Sequence, residues 1–181
     1  MKDNKILFHI AILLMLVVLA SMSCTLAVVD PAAICTPEAL TTVPPTQKIA
    51  LMSFHGRYVT AMGEDDDWAL RQETELRPCG WFTQYHLDND RIALVTCHGR
   101  YVTAPRRGTA RWDWQVWQES CLGDCGQFKL HELQDGVAFE TCAGRFVTAG
   151  DGNWPPGLQW SIVAETDRIE AWEIFTVLLQ P

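Results

Sequence analysis

The residues of this chain best suited to chemistry are tryptophans with carboxylate or amide neighbours. The sequence of 181 residues contains eight tryptophans, and Trp112, Trp117 and Trp154 are among those without a counterpart in the internal repeats described below. An indole ring is a flat apolar platform for a sugar ring, and nearby Asp or Asn oxygens accept hydrogen bonds from sugar hydroxyls. The predicted ligand-binding residues are Trp112, Asp113, Trp117, Asp151, Asn153 and Trp154. The alternative is that these rings only close the hairpin ends of a β-barrel.

The sequence carries none of the common catalytic motifs. It contains no nucleophile elbow, no glycine-rich phosphate-binding loop and no zinc-binding histidine motif. Carboxylates are abundant, but no pair stands apart as the acid and base of a glycosidase. We therefore predict a protein that binds and does not catalyse, with no cofactor.

Seven cysteines, six of them after Cys24, are typical of a chain that folds in an oxidising compartment. Six cysteines allow 15 pairings, so the sequence does not fix the connectivity. Cys121 and Cys125 are spaced to close a small loop, and Cys97 and Cys142 occupy matching positions in two repeats.

A metal site is the rival interpretation of these cysteines. Cys121 and Cys125 together with His98 or His131 would supply soft ligands. The chain has no paired Cys-x-x-Cys spacing, however, so disulfides are favoured. The acidic run at residues 64–67 has no glycine inside it, as a calcium loop would need, and predicts a solvated loop. We predict no metal.

One seven-residue pattern organises the elements that must position these residues. His-Gly-Arg-Tyr-Val-Thr-Ala at residues 55–61 recurs at residues 98–104 and, as Ala-Gly-Arg-Phe-Val-Thr-Ala, at residues 143–149. Each copy follows a stretch with the period of two of a half-buried strand, and its glycine stands where a hairpin turns. Each copy is followed by a repeated tryptophan and a closing strand with Phe. One repeat therefore predicts about four short strands.

Three such repeats predict a closed all-β domain. An open stack would leave two apolar end faces, which closure about a three-fold axis removes. We expect the repeated Trp68, Trp114 and Trp160 to pack around that axis. The repeated arginines and glutamates are expected to fasten neighbouring strands by ion pairs or hydrogen bonds. They are Arg57, Arg100, Arg145, Glu73, Glu119 and Glu165.

The order of these features resembles a known repeat. Each repeat resembles that of the fascin-like branch of the β-trefoil family, within the actin-crosslinking superfamily. The shared order is an apolar strand, Gly-Arg-[Tyr or Phe]-Val-Thr-Ala, a variable loop, a short third strand and a closing strand with Trp or Phe. The resemblance implies a β-trefoil with repeats at about 48–90, 91–136 and 137–179. Trefoils serve as lectin modules, actin-bundling domains, growth factors and protease inhibitors, so the resemblance implies a fold more firmly than a function.

The first 47 residues lie outside the repeats. Lys2 and Lys5 precede an apolar run at residues 6–20, so residues 1–23 are predicted to be a helical signal peptide or a retained membrane anchor. Ser-Met-Ser before Cys24 resembles a lipoprotein processing site, which makes Cys24 a candidate for lipid attachment. Residues 24–47 predict an extended linker rich in Pro and Thr, followed by the trefoil at residues 48–181. The domain is expected to be secreted or held at the outer face of a membrane.

The charge of the chain narrows the class of partner. Lys and Arg number 14 against 22 Asp and Glu, a formal net charge of −8, which argues against nucleic acid because phosphate contacts rely on basic groups. We predict a monomeric module that binds carbohydrate or a cell-surface polymer and meets the membrane only through its N-terminal segment. The alternatives are a protein-binding scaffold related to actin-crosslinking fascin domains and a trefoil-type protease inhibitor.

Overall fold

The computed structural model describes residues 45–104 and 114–181. These residues form twelve strands: β1 (Gln47–Met52), β2 (Tyr58–Ala61), β3 (Leu70–Glu73), β4 (Trp81–His86), β5 (Arg91–Val95), β6 (Tyr101–Thr103), β7 (Trp117–Glu119), β8 (Phe128–Leu133), β9 (Gly136–Glu140), β10 (Phe146–Ala149), β11 (Ile162–Thr166) and β12 (Thr176–Leu179). Four 3-10 turns lie at Glu64–Asp66, Pro78–Gly80, Asp124–Gly126 and Ala171–Glu173. The all-β prediction is confirmed.

The predicted signal peptide or anchor, the linker and the lipid-attachment candidate Cys24 lie outside the described residues. Within the ranges that are described, no helix is both long enough and apolar enough to cross a membrane.

Six of the strands close into an antiparallel barrel. β1 pairs with β4, β4 with β5, β5 with β8 and β8 with β9. A bridge between Val137 and Phe175 links β9 to the residue before β12, and β12 pairs back onto β1. Alternate side chains point inward along these strands, as the period of two requires. The buried interior includes Ile49, Leu51, Phe82, Ile92, Leu94, Phe128, Phe139 and Phe175.

The other six strands form three hairpins that cap one end of the barrel. They are β2–β3, β6–β7 and β10–β11. The hairpins are joined to one another by the bridges Ala69 to Trp117, Gln115 to Val163 and Arg71 to Ser161. Leu70, Val116 and Ile162, one from each hairpin, belong to the buried core. The predicted arrangement of three four-stranded repeats about a pseudo-three-fold axis is therefore present.

Each repeat turns from its barrel strand into its hairpin at a glycine. Gly56, Gly99 and Gly144 have φ values of 70°, 70° and 69°. A side chain is strained in this left-handed region, whereas glycine has no Cβ to clash. The prediction that these glycines mark turns is confirmed.

The repeated tryptophans do not pack at the axis, so this expectation was wrong. Trp68, Trp114 and Trp160 are half-buried. Trp68 and Trp160 have φ values of 56° and 59°, so the chain bends before the third strand of the repeat and the alternation of strand faces does not reach back to the indole.

Each of these indoles is instead covered by an arginine of the next repeat. The guanidinium carbons of Arg100, Arg145 and Arg57 lie 4.2, 4.3 and 3.7 Å from the ring centroids of Trp68, Trp114 and Trp160, respectively. Such cation–π contacts contribute about 0.5–1 kcal/mol at exposed sites. In the described part of the chain, no ion pair joins these arginines to the repeated glutamates. Arg145 does donate a hydrogen bond from Nη1 to the backbone carbonyl oxygen of Glu165 on the neighbouring strand. The arginines therefore join repeats by stacking on an indole, and the predicted hydrogen bond to a repeated glutamate is present at Arg145.

A buried glutamine ties the second repeat to the first. Gln118 Nε2 donates to the carbonyl oxygens of Met62 at 2.7 Å and Trp68 at 3.0 Å. Its Oε1 accepts a hydrogen bond from Thr96 Oγ1 at 2.8 Å. Every polar atom of this buried amide is thus engaged, which avoids the cost of desolvating an unpaired group.

The equivalent glutamine of the first repeat is less well paired. Gln72 Nε2 donates to the carbonyl oxygen of Gly150 at 2.6 Å. Serine replaces threonine beside it, and within the described structure both Ser53 Oγ and Gln72 Oε1 are buried without a hydrogen-bond partner. The hydrogen bond of the second repeat is therefore missing here.

Two disulfides link successive repeats at matching places. Cys79, in a 3-10 turn of the first repeat, bonds to Cys97 in the hairpin turn of the second, 18 residues away. Cys125 bonds in the same way to Cys142 of the third repeat, 17 residues away. Each disulfide closes a short loop across a repeat junction, which restricts the unfolded chain.

This pairing corrects one prediction about the cysteines. Cys125 is bonded to Cys142, so the predicted loop between Cys121 and Cys125 is wrong; Cys121 is disulfide-bonded as well. A disulfide sulfur is not a thiolate and does not serve as a metal ligand. The rival metal site therefore loses its sulfur ligands, and the cluster of Cys79, Cys97 and His98 loses them for the same reason.

Candidate functional site

A cleft of about 1010 Å³ opens on the third repeat. Its walls come from the β10–β11 hairpin, the loop that joins those strands, and the segment that leads into the last 3-10 turn. Three indole rings, those of Trp114, Trp154 and Trp172, line it. We call this feature the tryptophan cleft. Its volume is at the upper end of the range for small-molecule sites, and its apolar lining is typical of them.

Trp154 is positioned by the loop between β10 and β11. Its ring packs against the backbone of Gly150, where a Cβ atom would lie 2.8 Å from Trp154 Cε3. Asp151 shapes the same loop, because its two carboxylate oxygens accept hydrogen bonds from the backbone and side-chain nitrogens of Asn153, both at 2.9 Å. Glycine thus allows the indole to lie flat on the chain, in a fixed orientation.

Trp114 lines the cleft because the third repeat lacks a histidine. In the first two repeats, the residue before the turn glycine is His55 or His98, and the His98 ring meets Trp68 edge-on at a centroid distance of 5.4 Å. Ala143 stands at that position in the third repeat, so no imidazole covers the corresponding edge of Trp114. Arg145 still stacks on its face at 4.3 Å.

Trp172 occupies the position that a cysteine holds in the other two repeats. It lies in the Ala171–Glu173 turn and is 36% exposed. The disulfide partner's position, just before the hairpin turn, holds Cys97 in the second repeat and Cys142 in the third, but Phe54 in the first. The junction between the third and first repeats therefore carries aromatic side chains where the other junctions carry disulfides; we call it the closing junction.

Carboxylates surround the rings. Glu165, Asp167 and Glu170 line the cleft and are exposed. Glu173 is buried and has a structural role, because its Oε2 accepts a hydrogen bond from the backbone nitrogen of Glu170 at 2.9 Å and so caps the 3-10 turn. Among the lining residues that the structure describes, negative charge therefore predominates, and Arg145 is their one cation.

The six predicted site residues lie in different parts of the chain relative to the cleft. Trp154 lines the cleft, with Asp151 and Asn153 in the loop that supports it. Trp117 lies in β7, where its Nε1 donates to Glu119 Oε1 at 2.6 Å, and it is not among the cleft-lining residues that the structure describes. Trp112 and Asp113 lie outside the described residues. No observation tests the binding role predicted for these six residues, and the cleft includes Trp154 but not Trp117.

Sequence reasoning missed Trp114 and Trp172 as cleft residues. The repeated position of Trp114 predicts a core residue, and the place of Trp172 beside a closing strand predicts a structural role. The available signal was a departure from the repeat: Ala143 in place of histidine and Trp172 in place of cysteine. Such departures matter because symmetry-related residues serve the fold, whereas unmatched ones are free to serve a ligand.

A titratable pair lies on the barrel, apart from the cleft-lining residues. His131 Nε2 donates to Glu140 Oε2 at 2.7 Å, and Lys129 Nζ lies 3.6 Å from the same oxygen. The hydrogen bond from His131, with a smaller contribution from the Lys129 charge, lowers the pKa of Glu140 below its ordinary value, against the opposing effect of burial.

Solved structures with the same architecture identify the fold. The designed three-fold symmetric protein ThreeFoil matches with a TM-score of 0.59 at 16% sequence identity, over 72% of this chain and 97% of that chain. The BEL β-trefoil matches with a TM-score of 0.60 at 12% identity, over 76% and 97% of the two chains. The chain folds as a β-trefoil. SeviL, solved with the asialo-GM1 saccharide, matches this trefoil with a TM-score of 0.57 at 9% identity, over 74% and 97%.

The comparisons show the trefoil fold alone. No protein-family model matches the sequence, and no curated protein matches it. The narrower likeness to the fascin-like branch therefore remains a prediction. Within the trefoil, the tryptophan cleft is lined mainly by the third repeat, which departs most from the other two in its histidine and cysteine positions, together with Trp114 and Gln115 of the second.

Proposed function

We propose that this trefoil is a non-catalytic carbohydrate-binding module and that the tryptophan cleft is its binding site. The observation that carries the proposal is the convergence of three indole rings, Trp114, Trp154 and Trp172, in one open cleft beside carboxylates. Indole rings stack on the apolar face of a pyranose, and carboxylate oxygens accept hydrogen bonds from its hydroxyls. SeviL, a structural neighbour, was solved bound to a saccharide, which supports a sugar ligand on this scaffold.

The three rings are held before any ligand arrives. Trp154 rests on the backbone of Gly150, and Arg145 stacks on Trp114. Trp172 contacts the His55 ring at a centroid distance of 5.3 Å. Because contacts within the protein already fix these side chains, sugar binding costs little side-chain entropy.

The charge of the lining selects among sugars. Exposed carboxylates at Glu165, Asp167 and Glu170 repel sulfate and carboxylate groups, while Arg145 is engaged with Trp114. Neutral sugars and amino sugars therefore suit the cleft better than sulfated or uronic-acid polymers, because charge complementarity governs which partners are rejected.

The inter-repeat disulfides support a site of action outside the cytoplasm. Cys79–Cys97 and Cys125–Cys142 persist in oxidising compartments. We propose, with the predicted signal or anchor at residues 1–23, that the protein is secreted or displayed on the outer face of a membrane. A mass measurement of the exported protein tests whether that segment is removed and whether Cys24 carries lipid.

A glycan array with the purified protein tests the function. Trp154→Ala should reduce binding about tenfold, the effect of losing about 1.4 kcal/mol of stacking free energy. Trp117→Ala is the matched control, because Trp117 is also a half-buried indole but is not a cleft-lining residue.

Three outcomes decide the matter. Loss in Trp154→Ala with retention in Trp117→Ala supports the cleft. The reverse pattern moves the site to the β7 side of the trefoil and contradicts the cleft. If the parent protein binds no glycan on the array above background, the proposed function itself is contradicted.

A further inference from the structure

We propose that the sugar-binding surface continues from the tryptophan cleft across the closing junction onto Phe54, so that the ligand is an oligosaccharide chain and not a single sugar. The inference rests on the proposed function and adds a second contact surface to it. Its starting point is the replacement of a disulfide by Phe54 and Trp172 at one of the three repeat junctions.

The side chains at the closing junction are more exposed than a structural role requires. In the part of the chain that the structure describes, three large apolar side chains are exposed, and two of them, Phe54 at 63% and Trp172 at 36%, both contact the ring of His55 at this junction. Phe54 buries only about a third of its surface and so gains little from packing. Adjacent exposed aromatic side chains are typical of a contact surface, unlike a single scattered one.

The ring of His55 contacts both of these rings. Its ring lies 5.8 Å from that of Phe54 and 5.3 Å from that of Trp172, measured between centroids. Its Nε2 is within hydrogen-bond distance, 3.1 Å, of the carbonyl oxygen of Ala149, which ties the first repeat to the third. The imidazole is thus a positioning residue that holds both aromatic side chains.

This group of contacting rings adjoins the cleft, because Trp172 belongs to both. The side chain of Trp172 lines the tryptophan cleft, and its ring also contacts that of His55. The ring of His55 in turn contacts that of Phe54. Because both rings contact His55, the Phe54 ring lies no farther from the Trp172 ring than these two centroid distances together, a reach that suits an oligosaccharide and not one sugar. A chain that enters the cleft at Trp154 would therefore place later sugars over Trp172 and Phe54.

A ladder of oligosaccharides tests this inference. Glucose, galactose and N-acetylglucosamine series, each from monosaccharide to hexasaccharide, would be titrated against the full-length protein and its variants. In the series that binds, affinity should rise with chain length. Phe54→Ala should remove that gain, lowering affinity for the hexasaccharide about fivefold to tenfold while leaving the monosaccharide unchanged. Phe54→Tyr should keep the gain.

Leu179→Ala is the matched control, because Leu179 is also a large apolar side chain, 61% exposed, and is not a cleft-lining residue. It should leave the whole ladder unchanged, and thermal unfolding should show that each variant is folded.

The outcomes separate the two proposals. If short sugars bind and Trp154→Ala weakens them, but Phe54→Ala leaves the entire ladder unchanged, the extension to Phe54 is wrong and the cleft stands. If Phe54→Ala abolishes binding of a protein partner but of no glycan, the closing junction is a protein-docking surface and the inference is wrong. If no sugar of any length binds, both proposals fail.

Discussion

Replacing Phe54 and Trp172 together by cysteine should create a third inter-repeat disulfide. These positions correspond to Cys97 and Cys79 in the first junction and to Cys142 and Cys125 in the second. The backbones of the three junctions are related by the pseudo-three-fold axis, so the new sulfurs should come within bonding distance. The double variant should therefore oxidise spontaneously under conditions in which the native disulfides form.

The magnitude follows from loop closure and lost packing. A crosslink that closes a loop of about 120 residues stabilises by up to about 5 kcal/mol through the unfolded chain. Loss of the partly buried indole and of the mostly exposed phenyl ring costs about 2 kcal/mol. The net gain is about 3 kcal/mol, which should raise the midpoint of thermal unfolding by roughly 10 °C.

Thiol titration and mass spectrometry of the double variant would count free cysteines, and thermal unfolding would be compared with the two single variants. The single variants cannot close the bridge and should each be less stable than the parent protein. Sugar binding should fall in the double variant, since it lacks Trp172. Two more free thiols in the double variant than in the parent protein, under oxidising conditions, would refute the equivalence of the three junctions and the reasoning built on it.

Three further predictions concern single side chains. Arg100→Ala and Arg145→Ala should each lower the free energy of unfolding by about 0.5–1 kcal/mol. Only Arg145→Ala should weaken sugar binding, because Arg145 stacks on an indole of the cleft. Equal effects of the two variants on binding, measured by titration, would argue against the cleft. Ser53→Thr should raise the free energy of unfolding in urea by about 1 kcal/mol, because the added methyl group restricts χ1 and so favours the hydrogen bond from the hydroxyl to Gln72 Oε1 that the second repeat makes; an unchanged midpoint would count against it. His131→Ala should lower the free energy of unfolding above pH 4.5, the ordinary pKa of Glu140. The difference in this free energy between variant and parent should shrink as the pH falls through the lowered pKa of Glu140 in the folded protein. A difference that grows as the pH falls would contradict the prediction.

The fold could be predicted because the sequence contains it three times. The pattern at residues 55–61, 98–104 and 143–149 set the hairpin turns at Gly56, Gly99 and Gly144, and all three glycines have left-handed backbone. Repetition carries information that a single strand pattern lacks, because any four short strands fit many sheets whereas three equal sets fit a closed, pseudo-symmetric one.

The outward position of the repeated indoles could not be predicted from alternation. Trp68 and Leu70 are two residues apart and share a face in an ideal strand. The left-handed backbone at Trp68 breaks that rule, and a non-glycine residue with positive φ leaves no clear mark in a sequence. The disulfides were hidden for another reason, since six cysteines allow 15 pairings before geometry is known.

The candidate site was predicted only in part. Trp154 was identified because its loop is unmatched among the repeats, and it does line the cleft. Trp172 was missed because its importance lies in what it replaces, which is visible only when residues 77–82, 123–128 and 170–175 are aligned on one another. Trp114 was missed because its exposure depends on a small side chain, Ala143, in a different repeat.

The most direct test of the cleft follows the indole N–H signals by NMR during titration with the oligosaccharide that binds best on the array. Each tryptophan gives one such signal, assigned by single Trp→Phe variants. The signals of Trp114, Trp154 and Trp172 should shift together with one dissociation constant, while that of Trp117 stays in place. A saturating titration in which the Trp117 signal shifts and the three cleft signals do not would contradict the account.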